Sequence, residues 1–157
     1  MNSDLASELP GALQRNEIVP YYQPIVDLQT RRIVGFEVLA RWHRALQIIN
    51  PLEFIPLAEK AGLVGDLTDR LLHNGCLTAA DWPADIQLSL NISPLLLRDV
   101  AMPDRLHRIA SQARFPFRRL RSALRRCLFS ASGNFRHYMK VRPWVWLSLI
   151  ATFVISL

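Results

Sequence analysis

Glu37 and Arg41 lie in the run YYQPIVDLQTRRIVGFEVLARW, residues 21–42, among Phe36, Val38, Leu39 and Trp42. A charged group in so apolar a strand is costly to bury unless something binds it. Alternate residues of a strand share a face, so Glu37, Leu39 and Arg41 project together. At ~3.3 Å per residue the two charges stand roughly 13 Å apart, too far to pair with each other. Each therefore needs its own partner. A carboxylate is a hard oxygen ligand suited to Mg2+ or Mn2+, and a guanidinium is the planar fork that fits a phosphate. Acid and cation on one strand face suit phosphate-ester chemistry. The spacing alone leaves open the plainer alternative of solvated charges on an edge strand.

The elements that must hold these residues follow from the patterning. Residues 18–27 and 33–42 are β-rich runs separated by LQTRR, which predicts an antiparallel hairpin. Before it, Leu5, Leu9 and Leu13 recur at helical spacing, but Pro10-Gly11 predicts an interruption. In NPLEFIPLAEKAGL, Asn50 is a helix cap, Pro51 suits the first turn and Glu53 favours the positive end of the dipole. Pro56 makes that helix short or kinked, and Gly62 ends it. Residues 64–82 read as a long helix loosened at Asn74-Gly75. IQLSLNIS, residues 86–93, alternates as a strand with Asn91 on its polar side. A helix over about 94–113, broken near Pro103, comes next. Hairpin, helix, strand, helix is the start of an α/β architecture.

YYQPIVDLQTRRIVGFEVLARW, then PLEFIPLAEKAGL, then LSLNIS resemble, in that order, the opening of the EAL domain, the cyclic di-GMP phosphodiesterase family. Glu37-Val38-Leu39 stands where that family has its naming Glu-Ala-Leu triplet, and the likeness runs from about Leu13 to about Leu120. The resemblance implies that Glu37 and Asn91 are ligands of a catalytic Mg2+ or Mn2+ and that Arg41 holds a phosphate of the dinucleotide. It implies that Gln23 and Leu39 contact substrate, and that Pro51, Phe54, Ile55 and Pro56 border the pocket. The implied fold is a (β/α)8 TIM-like barrel with an antiparallel first strand, its site at the carboxyl ends of the strands. The implied reaction is metal-assisted hydrolysis of one phosphodiester bond of cyclic di-GMP, giving the linear dinucleotide.

The chain also departs from that family. A whole barrel of this kind takes ~250 residues, and the chain has 157. Up to Asp104 it carries 8 Lys/Arg against 13 Asp/Glu, a balance of −5; from Arg105 on it carries 11 Lys/Arg and no acid. Against the family's pattern, the later metal-binding aspartates, the catalytic lysine and the final glutamate have no counterpart, and no Asp or Glu follows Asp104 to supply the acids. Residues 1–117 read as the N-terminal part of an EAL domain, an incomplete barrel of about three strands, inactive alone or completed by a partner chain. Residues 118–157 read as a basic tail of foreign pattern, out of frame or fused.

The tail's end, PWVWLSLIATFVISL, is a charge-free run of 15 residues flanked by Arg136, Lys140 and Arg142. It is short of the ~20 residues a spanning helix needs. Trp144 and Trp146 beside cations suit an interfacial contact with the inner membrane through residues 143–157. The Arg-rich stretch Arg114–Arg126 offers non-specific attraction to anions, but no module for specific nucleic-acid recognition. The polar N-terminus has no signal-peptide core, which predicts a cytoplasmic chain. Cys76 and Cys127 have no metal or redox spacing and read as plain thiols. The four histidines form no ligand pattern. A non-catalytic nucleotide- or partner-binding module, and a basic membrane-surface protein, are the competing functional classes.

Overall fold

The computed structural model describes residues 2–123. The expected boundary at residue 118 is corrected: residues 118–123 enter a 3-10 turn and a strand of the sheet, because their backbone pairs with the edge of a neighbouring strand, and the remainder of the tail, 124–157, lies outside the described residues. Among the described residues four α-helices, α1 (Asn2–Gln14), α2 (Pro51–Lys60), α3 (Val64–Ala79) and α4 (Met102–Gln112), accompany five strands. These are β1 (Ile18–Val26), β2 (Ile33–Arg44), β3 (Gln47–Ile49), β4 (Gln87–Asn91) and β5 (Leu120–Ala123). They form one sheet in the order β1-β2-β4-β5, with β3 paired to the end of β2. β1 and β3 run antiparallel to β2, whereas β2, β4 and β5 run parallel.

The hairpin β1–β2 closes at Asp27, whose Oδ1 accepts the amides of Gln29 and Thr30 and the Thr30 hydroxyl. Arg31 completes the reversal in the left-handed region at φ 56°. The carboxylate thus replaces, for a tight turn, the backbone partners that the ladder can no longer supply. At α2 the capping box is complete. Asn50 Oδ1 accepts the Leu52 amide at 3.0 Å, and the Asn50 amide donates to Glu53 Oε1 at 3.3 Å. The helix runs 10 residues through Pro56, and the chain turns away at Gly62 with φ 71°.

Two expected breaks, at Pro10-Gly11 and at Asn74-Gly75, are corrected, and a third, near Pro103, is present. α1 is one helix of 13 residues through Pro10, because Leu5, Leu9, Ala12 and Leu13 are all buried along one stripe. The missing Pro10 amide falls at an exposed position, and packing of the stripe outweighs the lost bond. α3 is continuous through Asn74-Gly75. A Cβ on Gly75 would come within 3.3 Å of Leu88 and 3.4 Å of Val38, so the glycine brings helix and sheet together instead of loosening the helix. The region 94–113 divides into a 3-10 turn at Pro94–Arg98 and α4, with Pro103 inside the first turn of α4, where its missing amide costs nothing.

The helices cover one sheet face. Val38, Ala40 and Trp42 of β2 and Leu88 and Leu90 of β4 bury themselves with Leu72, Cys76 and Ala79 of α3. Trp42 meets Phe54 of α2 edge-on at 5.8 Å between centroids. That burial sets the register of β2, since a one-residue slip would turn Glu37 and Arg41 into the core.

Candidate functional site

The ladder partners fix which residues share the other face. Gln23 lies opposite Glu37, and Glu37 lies opposite Ser89. Arg121 lies opposite Ser89 on the far side of β4. Alternation then places Tyr21, Gln23, Glu37, Leu39, Arg41, His43, Ser89, Asn91 and Arg121 on one face. Glu37, Leu39 and Arg41 are half-buried, and Gln23 and Asn91 are exposed.

Glu37 and Asn91 are 54 residues apart in the chain, yet Asn91 Nδ2 donates to Glu37 Oε1 at 2.6 Å. β4 brings them together because it runs parallel beside β2 and ends at Asn91. Asparagine carries an acceptor oxygen beside its NH2 group, so the same pair offers a cation two hard oxygens. Two oxygens do not hold Mg2+ or Mn2+, which take about six. Among the described residues no group of three or more His, Cys, Asp or Glu comes together, and no acid follows Asp104 in the sequence. The donor set fits part of such a shell.

Arg41 is held separately. Its Nη1 donates to the Ala40 carbonyl at 2.8 Å, and its Cζ lies 5.7 Å from the centre of the Tyr21 ring. Among the described residues neither contact neutralises the guanidinium, which keeps further N–H donors for an anion.

Not every residue that the sequence singled out reaches this face. Phe54 is 0% exposed and packs on Trp42, so it supports β2 from the core side and not from the face that carries Glu37. Pro51 and Ile55 are half-buried and Pro56 exposed, all on α2. Ser89 falls on the polar side of the alternation in IQLSLNIS, yet it is 2% exposed, wedged between β2 and β5 beside Glu37.

Arg119 departs furthest from its reading as part of an anion-attracting stretch. It is 5% exposed and donates to the carbonyls of Ile86, Ala79, Trp82 and Pro83, with Phe115 beneath it at 4.8 Å. It ties the end of α3 to the approach of β4 and is withdrawn from any external anion. No composition signal separates it from its exposed neighbour Arg118; only the carbonyls left by the end of α3 do.

No helix among the described residues is long and apolar enough to cross a membrane, and residues 143–157 and Cys127 lie outside them.

The sequence matches the EAL domain family over residues 6–128. An uncharacterized signaling protein of Caulobacter vibrioides is 36% identical over 107 residues, 68% of this chain and 13% of that protein. The cyclic di-GMP phosphodiesterase PA2567 of Pseudomonas aeruginosa is 38% identical over 93 residues, 57% of this chain and 16% of that protein. Among solved structures, the PaMucR phosphodiesterase in its c-di-GMP complex superposes with a TM-score of 0.81 at 24% identity. The overlap covers 90% of this chain and 59% of that one, and the likeness is one of fold. The FimX EAL domain of Pseudomonas aeruginosa bound to c-di-GMP gives 0.67 at 26% identity, over 76% of this chain and 49% of that one. This chain thus spans less than a fifth of the curated relatives' length and about half of the solved chains. A mixed sheet with its first strand reversed, the Glu37–Asn91 contact and a family match over most of its residues give one result: the chain belongs to the EAL domain family.

Proposed function

We propose that the sheet face bearing Glu37, Arg41 and Asn91 binds cyclic di-GMP through one of its phosphodiesters, and that the chain by itself does not hydrolyse it. The contact between Asn91 and Glu37 at 2.6 Å carries this reading, because it joins two hard-oxygen residues from distant segments on the face that also holds Arg41. Arg41 supplies the phosphate fork. Gln23, opposite Glu37, and Leu39, between Glu37 and Arg41, complete the contact strip.

A Mg2+ or Mn2+ ion at Glu37 and Asn91 would neutralise phosphate charge and activate water. The residues present leave its shell incomplete, so no hydrolytic step is assigned to this chain. A second polypeptide that supplies the remaining barrel strands would supply the missing donors. In this reading the family-like part is an incomplete barrel that includes β5, and the basic tail begins later than residue 118. The names of PA2567 and of the PaMucR and FimX complexes support the ligand class.

The test is calorimetric titration of the full chain with cyclic di-GMP and Mg2+ or Mn2+, alongside chromatographic assay for the linear product. Binding lost in Glu37→Ala and Arg41→Ala, with no product, is the expected result. Turnover by the isolated chain would overturn the second half of the proposal. Binding unaffected by either substitution, but fading steeply with salt, would overturn the first half and point to non-specific phosphate attraction by the basic tail.

A further inference from the structure

Arg41 is the one cation of the proposed binding strip on β2, and its side chain does not stand alone. Leu39, Arg41 and His43 follow one another on the same face, and Tyr21 lies opposite Leu39. The Tyr21 side chain leans along the sheet past Arg41, and its hydroxyl meets His43 Nε2 at 3.2 Å. The imidazole tautomer sets which of the two donates. The two rings stand 5.7 Å apart, tilted by 53°. The Arg41 guanidinium lies 5.7 Å from the Tyr21 ring centre and donates to Ala40 O.

We propose that Tyr21 and His43 are positioning residues for Arg41: the phenol ring, pinned at its hydroxyl by His43, fixes the guanidinium in the orientation that receives a phosphodiester. This rests on the reading of Arg41 as the phosphate fork. The physical need is plain. An arginine side chain on an open sheet face has several free rotors, and freezing them on binding costs affinity. An aromatic face at cation–π distance restricts the guanidinium before the ligand arrives. Tyr21 is itself 41% exposed, so without a tether its ring would share the same freedom. His43 is that tether. Neither residue need touch the ligand.

The experiment titrates the full chain with cyclic di-GMP and follows the 15N-labelled Arg41 Nε–Hε signal, which feels the ring current of Tyr21. Tyr21→Leu should weaken binding about two- to five-fold, the range of an exposed cation–π contact. His43→Ala should weaken it less, and His43→Gln, which keeps a hydrogen-bonding group, should restore it. Adding Tyr21→Leu to Arg41→Ala should change nothing further. The Arg41 Nε–Hε signal should move in Tyr21→Leu and His43→Ala, with unfolding midpoints close to that of the parent. If Arg41→Ala weakens binding while Tyr21→Leu binds like the parent, the positioning role is overturned and the phosphate reading stands. If Arg41→Ala binds like the parent, the phosphate reading falls and this role falls with it. Should the parent bind no cyclic di-GMP, an Arg41 signal unmoved by either Tyr21→Leu or His43→Ala rejects the positioning contact as well.

Discussion

At the scale of single residues, burial decides chemistry more than residue type does. The Cys76 thiol is fully buried in α3, and burial pushes its pKa up to about 12. Only the thiolate is a nucleophile. Iodoacetamide at neutral pH should therefore leave Cys76 unmodified in the native chain and label it once urea unfolds the protein, with the labelled peptide read by mass spectrometry. Fast native labelling of Cys76 would contradict the packing of α3 on the sheet. Arg119 gives the second test at this scale. Arg119→Met keeps an apolar side chain near Phe115 but removes the donor from four carbonyls, of which Ala79 and Pro83 retain backbone partners and Ile86 and Trp82 lose theirs. The loss should be about 2–4 kcal/mol of unfolding free energy by urea titration, since buried polar groups left unpaired cost about 1–3 kcal/mol each and water recovers part of it. Arg118→Met, at an exposed neighbour, should change stability by less than about 0.5 kcal/mol. The two arginines are adjacent and identical in the sequence, so nothing there separates them.

At the scale of elements, caps and contacts set where each piece starts and how closely it packs. Asn50→Ala removes the acceptor for the Leu52 amide and should cost about 0.5–2 kcal/mol, whereas Asn50→Asp should retain most of the stability. Chemical denaturation of both variants checks this. That cap was legible because its residue types act locally, within four positions. The role of Gly75 was not, because its partners Leu88 and Val38 lie far along the chain on two different strands. Gly75→Leu should destabilise by about 1–3 kcal/mol as helix and sheet are forced apart. A gain in stability would show that the glycine does loosen α3. Pro10 makes the same point in reverse: local propensity predicts a break, and the buried stripe of Leu5, Leu9, Ala12 and Leu13 overrides it. The strand β3 carries too few residues for alternation to reveal it, and β3 and β5 pair with the edges that β2 and β4 offer.

At the scale of the whole molecule, several carboxylates couple folding to pH, Glu8 and Glu17 among them. The hydrogen bond from Arg44 holds the Glu8 carboxyl below its ordinary value, tying α1 to β2. Arg15, and after it Trp42, do the same for Glu17. Both groups hold protons more weakly folded than unfolded, so the unfolded state binds more protons as pH falls. Their stabilisation is complete above the ordinary carboxylate range and is lost as pH drops through it towards the depressed folded values. Asp69 acts oppositely, because burial raises its pKa despite the nearby Arg105. Urea midpoints measured from pH 7 down to roughly 3 should fall, and the Glu8→Gln, Glu17→Gln double variant should show a flatter slope. An unchanged slope would remove these two ties from the account. The sequence by itself determined the hairpin, the capped helix, the alternating strand carrying Asn91 and the family resemblance, because those signals reside in residue spacings of a few positions. Only the tertiary structure decided that Asn91 reaches Glu37, that Phe54 faces the core, that Arg119 turns inward and that Tyr21 and His43 flank Arg41. Each of those depends on which strands lie side by side and in what register, and burial spread over the whole sheet and its helices fixes that.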